Sequence, residues 1–140
     1  MTPRRVLILC TGNSARSQMA EALFNALGGG TIVAESAGSR PAAKVNPLAI
    51  ETLARHGMRW SGHAPRGLDG LEQQSWDWVI TVCDNAKESC PVFPGTRMLH
   101  WSMSDPAEHD GDAGHAAFES AYQFLHERIT TLLKPDSPTQ

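Results

Sequence analysis

A cysteine and an arginine frame a short polar loop near the start of the chain. The loop begins at Cys10, ends at Arg16 and Ser17, and lies between an apolar run and a segment of helical periodicity. Backbone N–H groups of such a loop can form a nest for an anion, and the start of the following helix adds partial positive charge. Arg16 can hold a tetrahedral oxyanion through two parallel hydrogen bonds. The pattern predicts a site at which the Cys10 sulfur attacks a bound oxyanion.

The residues of this loop have separate expected roles. The predicted substrate-binding residues are Thr11, Gly12, Asn13, Ser14, Ala15, Arg16 and Ser17. The positive field of the loop favours the thiolate of Cys10 over the thiol. Gly12 allows a backbone conformation with positive φ, Asn13 can brace the loop, and Ser17 can hydrogen-bond the thiolate. The alternative is a buried, unreactive cysteine at the end of a strand.

Two further cysteines suggest redox chemistry. Cys83 follows the apolar run 78–82, and Cys90 comes seven positions later. Cys83 also fits an inert core cysteine, whereas the spacing of the pair is unusual for zinc. Seven residues of helix rise by about 10 Å, too far for a disulfide, so this pair would join only if the segment unwound. The functional hypothesis is thiol–disulfide exchange from Cys10 through Cys83 to Cys90.

An acidic residue, Asp105, precedes Pro106 in the loop after the fourth predicted strand. At the carboxyl edge of a sheet, its carboxyl group could protonate a leaving oxygen. The alternative is an ordinary Asp-Pro turn. The candidate catalytic residues are therefore Cys10, Arg16, Cys83, Cys90 and Asp105.

Short apolar strands alternate with helical patterns along the chain. Strands are predicted over 4–9, 31–34, 78–82 and 98–101, helices over 15–27, 46–57 and 118–133, and short helices at 71–76 and from Asp84. The alternation predicts an α/β fold with a parallel sheet, in a single domain over 1–134 followed by a polar tail at 135–140. Ligands bind such sheets at the carboxyl ends of the strands, where Cys10 and Cys83 both lie.

The composition excludes several classes of partner. A net charge of −3 and the lack of a basic run argue against nucleic acid. No apolar stretch is long enough to span a membrane, and the first apolar run is too short for a signal segment. Three cysteines do not suggest a disulfide framework. We expect a cytoplasmic monomer that binds neither nucleic acid nor membrane.

These residues together resemble a known family. The chain resembles the thioredoxin-coupled arsenate reductases, which share the fold of low-molecular-weight protein tyrosine phosphatases. The resemblance covers about residues 4–134 and rests on the stretches Cys10–Glu21 and Val79–Asp84, on Cys90-Pro91, on Trp101 and on Asp105-Pro106. It implies a three-layer fold with four parallel strands in the order 2-1-3-4.

The resemblance also implies a reaction. Cys10 would attack arsenate held by the loop and Arg16, while Asp105 helps water to leave. Cys83 would attack the Cys10–arsenic adduct and release arsenite, and Cys90 would then attack Cys83. Thioredoxin would reduce the Cys83–Cys90 disulfide, with a glutathione–glutaredoxin system as the alternative reductant, and no bound cofactor is implied.

Two departures from the family pattern bear on these expectations. Some members carry a further cysteine where this chain has Ala15, a thiol that the relay does not need. Potassium-binding members use Asn13, Glu21 and Ser36 with a Thr-Ser-Asp stretch, which here reads His63-Ala64-Pro65-Arg66. We therefore expect a vestigial potassium site and no bound metal.

Two other functions compete with arsenate reduction. A phosphotyrosine phosphatase would use Cys10, Arg16 and Asp105 in the same way, because phosphate and arsenate have nearly the same shape. The extra cysteines favour the reductase, as does Ala107, where the phosphatases usually place an aromatic residue. A non-enzymatic thiol switch or oxyanion-binding module is the third possibility, and it would not need Asp105.

Overall fold

Four parallel strands form one sheet at the centre of the protein. The computed structural model describes residues 2–60, 62–83, 93 and 95–134. The strands are β1 (Arg4–Cys10), β2 (Ile32–Gly38), β3 (Trp78–Thr81) and β4 (Arg97–His100), and the α-helices are α1 (Arg16–Leu27), α2 (Pro47–Arg55) and α3 (Gly111–Leu133). The sheet order is β2-β1-β3-β4, which confirms the predicted fold class and strand order.

The middle strand β1 is buried between its two neighbours. Residues Val6 to Leu9 are almost completely inaccessible to solvent, as expected of an apolar run in a parallel sheet. Helices α1 and α2 both pack against α3, whose apolar side chains recur at helical spacing. Trp101 is buried and stacks on Phe24, so it belongs to the core of the protein.

Several elements differ in length from the predicted ones. Strand β2 continues to Gly38, whereas the sequence predicts that the strand ends at residue 34 and a loop follows. The polar residue Ser36 fits inside the strand because its buried hydroxyl has hydrogen-bond partners in Asn13 and Glu21. Helix α3 begins at Gly111 rather than 118, since its first turns are polar and carry little apolar periodicity. The short helix expected at 71–76 is a 3₁₀ turn, Leu71–Gln73. The helix predicted from Asp84 and the tail at 135–140 lie outside the described residues.

Register places two of the candidate residues at the same sheet edge. Leu9 of β1 is paired with Thr81 of β3, and the Val82 N–H donates to the Leu9 carbonyl at 3.0 Å. Cys10 and Cys83 therefore leave neighbouring strands side by side. Within the described residues, no helix is long and apolar enough to cross a membrane.

Candidate active site

The loop after β1 turns its carbonyl groups outward. The carbonyls of Cys10, Thr11 and Gly12 accept hydrogen bonds from the backbone N–H groups of residues 39, 40 and 42, at 2.9–3.2 Å. The Ser14 carbonyl accepts from Asn46 at 2.8 Å. Because the C=O and N–H of a trans peptide point in opposite directions, the N–H groups of the loop face inward. This is the arrangement that an anion nest requires, and the binding of an anion there stays a prediction.

The left-handed turn of the loop is at Asn13, not at Gly12. Asn13 has φ of 51° and is fully buried, whereas the φ of Gly12 is not positive. Asparagine tolerates this conformation better than most residues, and buried hydrogen bonds hold it there. Its Nδ2 donates to the hydroxyls of Ser17 at 2.8 Å and Ser36 at 2.9 Å. The expected bracing by Asn13 agrees with this geometry, but the role expected of Gly12 was wrong.

A glycine at the end of β2 lets the loop pass close by. A side chain at Gly38 would collide with the Thr11 carbonyl oxygen and approach the Asn13 nitrogen to 3.0 Å. The Gly38 N–H itself donates to the Arg66 carbonyl at 2.9 Å. The position therefore requires glycine because of a close backbone approach.

Arg16 is the main candidate for binding an oxyanion. Its side chain is only 9% exposed, and its Nη1 donates to the Met103 carbonyl at 2.9 Å. The Nε of Arg16 is buried and has no hydrogen-bond partner among the described residues. A buried donor without an acceptor is costly, so this atom is suited to an oxygen of a bound anion.

Asp105 lies beside Arg16, as a catalytic acid must. Its Oδ2 is 3.8 Å from the Arg16 Nη2, and its carboxylate is 38% exposed. Its Oδ1 accepts a hydrogen bond from the Ala107 N–H at 3.0 Å, which caps a 3₁₀ turn at Pro106–Glu108. The Asp-Pro turn is present as expected, and the catalytic role of Asp105 stays a prediction that its position beside Arg16 allows.

Cys83 lies directly against the loop cysteine. Both are buried, no disulfide joins them, and the Cys83 Sγ is 3.2 Å from the Thr11 hydroxyl. A hydrogen bond with Cys83 and then burial raise the pKa of Cys10 far above its ordinary value, although Arg16 and the Thr11 N–H act to lower it. The sequence argument for a Cys10 thiolate considered only the loop and Arg16, which do lower this pKa; the neighbouring Cys83 and burial act in the opposite direction.

The predicted roles of two further residues, Cys90 and Ser17, are not tested by the structure. Cys90 lies outside the described residues, so its place relative to Cys83 stays a prediction. Ser17 is fully buried and its hydroxyl accepts from Asn13. A hydrogen bond from Ser17 to a Cys10 thiolate also stays a prediction.

Comparison with known proteins agrees with this geometry. The model of the low molecular weight phosphotyrosine protein phosphatase family matches residues 5–137. The chain belongs to that family. An arsenate reductase of Halalkalibacterium halodurans is 34% identical over 134 residues, covering 94% of this chain and 96% of the relative.

Solved structures of this phosphatase family show the same architecture. An arsenate reductase in a phosphate-binding state has a TM-score of 0.80 at 27% identity, covering 92% of this chain and 95% of the other. A thioredoxin-dependent arsenate reductase of Corynebacterium glutamicum has a TM-score of 0.76 at 30% identity, covering 94% and 60%. The resemblance inferred from the sequence is thereby confirmed.

The residues expected to mark a vestigial potassium site do come together. The Ser36 hydroxyl donates to the Glu21 Oε1 at 2.8 Å and accepts from Asn13. Their oxygens, however, already face donors of the chain, which come from Arg66 and His63. Among the described residues, no group of three or more His, Cys, Asp or Glu side chains could hold a metal ion.

Three contacts of the site were not predicted from the sequence. These are the hydrogen bond between Thr11 and Cys83, and the contacts of His63 and Arg66 with the residues behind the loop. The Arg66 contact with Asn13 is made by a backbone N–H. Every residue except proline has this group, so the residue type does not indicate the contact. The available signal was the family resemblance, which aligns the stretch 63–66 with one that acts together with Asn13, Glu21 and Ser36.

Proposed function

We propose that this member of the phosphatase family reduces arsenate to arsenite through a relay of Cys10, Cys83 and Cys90, with thioredoxin as the reductant. The observation that carries the proposal is the buried Cys83 in hydrogen-bond contact with Cys10. Phosphate ester hydrolysis needs one sulfur nucleophile, whereas reduction of arsenic needs two electrons. Two adjacent thiols can supply them by forming a disulfide.

The loop provides the binding step. The arsenate would be held by the N–H groups of the loop, the start of α1 and the Arg16 guanidinium, which follow Cys10 directly in the chain. The buried Nε of Arg16 gains an acceptor when an arsenate oxygen arrives. Binding therefore compensates a donor that the resting protein leaves unsatisfied.

In the first chemical step, the Cys10 sulfur attacks arsenic and one arsenate oxygen leaves as water. The Cys10 thiol and a monohydrogen arsenate dianion together hold the two protons that this water needs. Asp105 is placed to relay one of them. Transfer of the Cys10 proton to the bound arsenate would form the thiolate that attacks arsenic.

In the second step, the Cys83 sulfur attacks the Cys10 sulfur of the adduct. The sulfur–sulfur bond forms, the sulfur–arsenic bond breaks, and its electron pair reduces arsenic(V) to arsenic(III). The Cys83 proton goes to the departing arsenite. The Thr11 hydroxyl, 3.2 Å from the Cys83 Sγ, can orient this sulfur and hydrogen-bond its thiolate.

The third step regenerates Cys10. Cys90 attacks Cys83 and releases the Cys10 thiolate, and a dithiol reductant then opens the Cys83–Cys90 disulfide. Thioredoxin suits a disulfide within one chain, and a relative of this chain is a thioredoxin-dependent arsenate reductase. A reducing compartment such as the cytoplasm would keep the three thiols available between turnovers.

Phosphotyrosine hydrolysis is the second candidate. The family model carries that name, and Cys10, Arg16 and Asp105 would serve both reactions. Ala107, after the Asp-Pro turn, offers no aromatic surface to a tyrosine ring. We expect at most a slow hydrolysis of small aryl phosphates.

Coupled turnover tests the proposal. Purified protein is mixed with arsenate, thioredoxin, thioredoxin reductase and NADPH, and NADPH oxidation is followed. We expect consumption that depends on arsenate and on thioredoxin, and that is lost in Cys10→Ser. A glutathione–glutaredoxin mixture in place of thioredoxin identifies the alternative reductant. No consumption with either reductant, together with rapid aryl phosphate hydrolysis, would support the phosphatase instead.

A further inference from the structure

Behind the oxyanion loop lies a buried polar cluster that determines the shape of the loop. Asn13 is fully buried at φ of 51°, a conformation that costs energy for a residue with a side chain. The Asn13 Oδ1 accepts from the Arg66 N–H at 3.1 Å. The segment that contains Arg66 therefore contributes to holding Asn13 in this conformation, together with Ser17 and Ser36.

The Arg66 side chain fixes that segment to β2. Its Nε donates to the Ser36 carbonyl at 3.0 Å, and its Nη2 is 2.7 Å from the Glu35 Oε1. Arg5 binds the other carboxylate oxygen of Glu35 at 3.0 Å. Burial raises the pKa of Glu35, but hydrogen bonds from Arg66 and Arg5 outweigh it and lower that pKa overall. The carboxylate is therefore charged and available to hold Arg66.

His63 completes the cluster on its other side. Its Nδ1 is 2.6 Å from the Ala64 carbonyl oxygen, which only accepts, so this nitrogen carries a proton. Its Nε2 is 3.1 Å from the Oε1 of the buried Glu21. The same Glu21 oxygen accepts from the Ser36 hydroxyl, so His63 closes the cluster at Glu21.

We propose that Arg66 is a positioning residue for the Cys10 loop. With His63, it provides from within the chain hydrogen-bond partners for the oxygens of Asn13, Glu21 and Ser36 that a potassium ion would otherwise contact. The inference concerns oxyanion binding, the first step of the proposed function, and does not depend on reduction. It predicts a loop that is correctly shaped without any monovalent cation.

The first arm of the test compares Arg66→Ala with Arg5→Ala, with inorganic phosphate as the probe. Both variants remove one positive partner of Glu35, but Arg5 contacts Gln74, Ser75 and Trp76 rather than the loop residues. Calorimetric titration should show that phosphate binds about tenfold more weakly to Arg66→Ala than to the unmodified protein, which is the effect of one lost positioning interaction. The phosphate affinity of Arg5→Ala should be unchanged.

Equal phosphate affinity in the two variants would overturn the positioning role, whatever their stability. The result is independent of reductase activity, because phosphate binding is measured without a reductant. The two proposals can therefore fail separately. If the unmodified protein does not reduce arsenate but Arg66→Ala weakens phosphate binding, the proposed function is contradicted and this inference is supported.

The second arm uses the unmodified protein and needs no variant. Thermal unfolding with saturating phosphate is compared in potassium chloride and choline chloride at equal ionic strength. We expect the same unfolding midpoint in both salts and the same phosphate dissociation constant. A higher midpoint or tighter phosphate binding that is specific to potassium would show a bound cation and overturn the inference.

Discussion

At the scale of single residues, Cys83 determines the resting state of Cys10. The loop donors and Arg16 stabilise a Cys10 thiolate, but the hydrogen bond with Cys83, aided by burial, has the larger effect and raises the pKa of Cys10. A thiol with a raised pKa reacts slowly with alkylating agents and oxidants, which attack the thiolate. The protonation state of Cys10 therefore depends on Cys83 as well as on the loop.

The first prediction concerns Cys83→Ala. Removing the largest cause of the raised pKa should lower the pKa of Cys10, so more thiolate is present at any given pH. Iodoacetamide should then label Cys10 about three- to tenfold faster at pH 8, with the pH midpoint of labelling shifted downward. Peptide mapping by mass spectrometry identifies the labelled cysteine.

Cys83→Ser provides the matched control for this experiment. A serine hydroxyl keeps a hydrogen-bonding group next to Cys10 but cannot become a thiolate at these pH values. The labelling rate of Cys10 should fall between those of the unmodified protein and Cys83→Ala. If all three proteins label Cys10 at the same rate, the proposed effect of Cys83 on this pKa is wrong.

Asp105→Asn tests the second residue-scale prediction. An amide cannot relay a proton to the leaving oxygen, so kcat for arsenate should fall by about 10²-fold. Phosphate affinity should not weaken, because a negative charge 3.8 Å from Arg16 is removed. Steady-state kinetics measure the expected fall in kcat, and phosphate titration measures the affinity for the oxyanion. A loss confined to oxyanion binding would assign Asp105 to the turn alone.

The sequence predicted a loop between β1 and α1 but not which of its residues makes the left-handed turn. Cysteine and arginine at this spacing indicate an anion nest whichever residue makes the turn. Glycine is the usual residue at positive φ, yet here the turn residue is Asn13, because its side chain gains four buried contacts with Ser17, Gln18, Ser36 and Arg66. That choice depends on residues distant in sequence, which no local pattern reveals.

At the scale of elements, the end of β2 shapes the site. Residues Ser36 to Gly38 pair with β1 and lie under the oxyanion loop. The sequence placed a loop here because its small polar residues lack an apolar strand pattern. Elements with regular apolar spacing were predicted more accurately. The predicted bounds of β1 and α1 differ from the observed ones by about one residue at most.

Gly38→Ala is the element-scale prediction. The added methyl group would collide with the Thr11 carbonyl oxygen, so either β2 or the loop must move. We expect a loss of stability of about 1–3 kcal/mol in urea unfolding, the usual effect of overpacking, and weaker phosphate binding.

Gly67→Ala is the control for that substitution. A methyl group at Gly67 would meet only the Pro41 ring, at 3.8 Å, which is an ordinary contact. Its stability should change by less than about 0.5 kcal/mol, as is typical of an unconstrained position. Equal effects of the two substitutions would contradict the close approach of loop and strand.

At the scale of the whole molecule, strand order assembles the candidate site. The order β2-β1-β3-β4 puts the end of β3 beside the end of β1, so Cys83 meets a loop more than sixty residues earlier in the chain. Alternating strands and helices predicted the parallel sheet, while the family resemblance supplied its order. The contacts of Arg66 and His63 could not be predicted, because they depend on an irregular segment placed by the finished fold.

Cys90→Ser gives the most direct test of the central claim, that Cys10 and Cys83 supply the two electrons. Reduced Cys90→Ser is mixed with excess arsenate without thioredoxin, and arsenite and disulfides are measured. We expect about one arsenite per protein and a Cys10–Cys83 disulfide by peptide mapping, because the relay stops after its second step. No arsenite, or arsenite formation that continues through many turnovers once thioredoxin is added, would contradict the account.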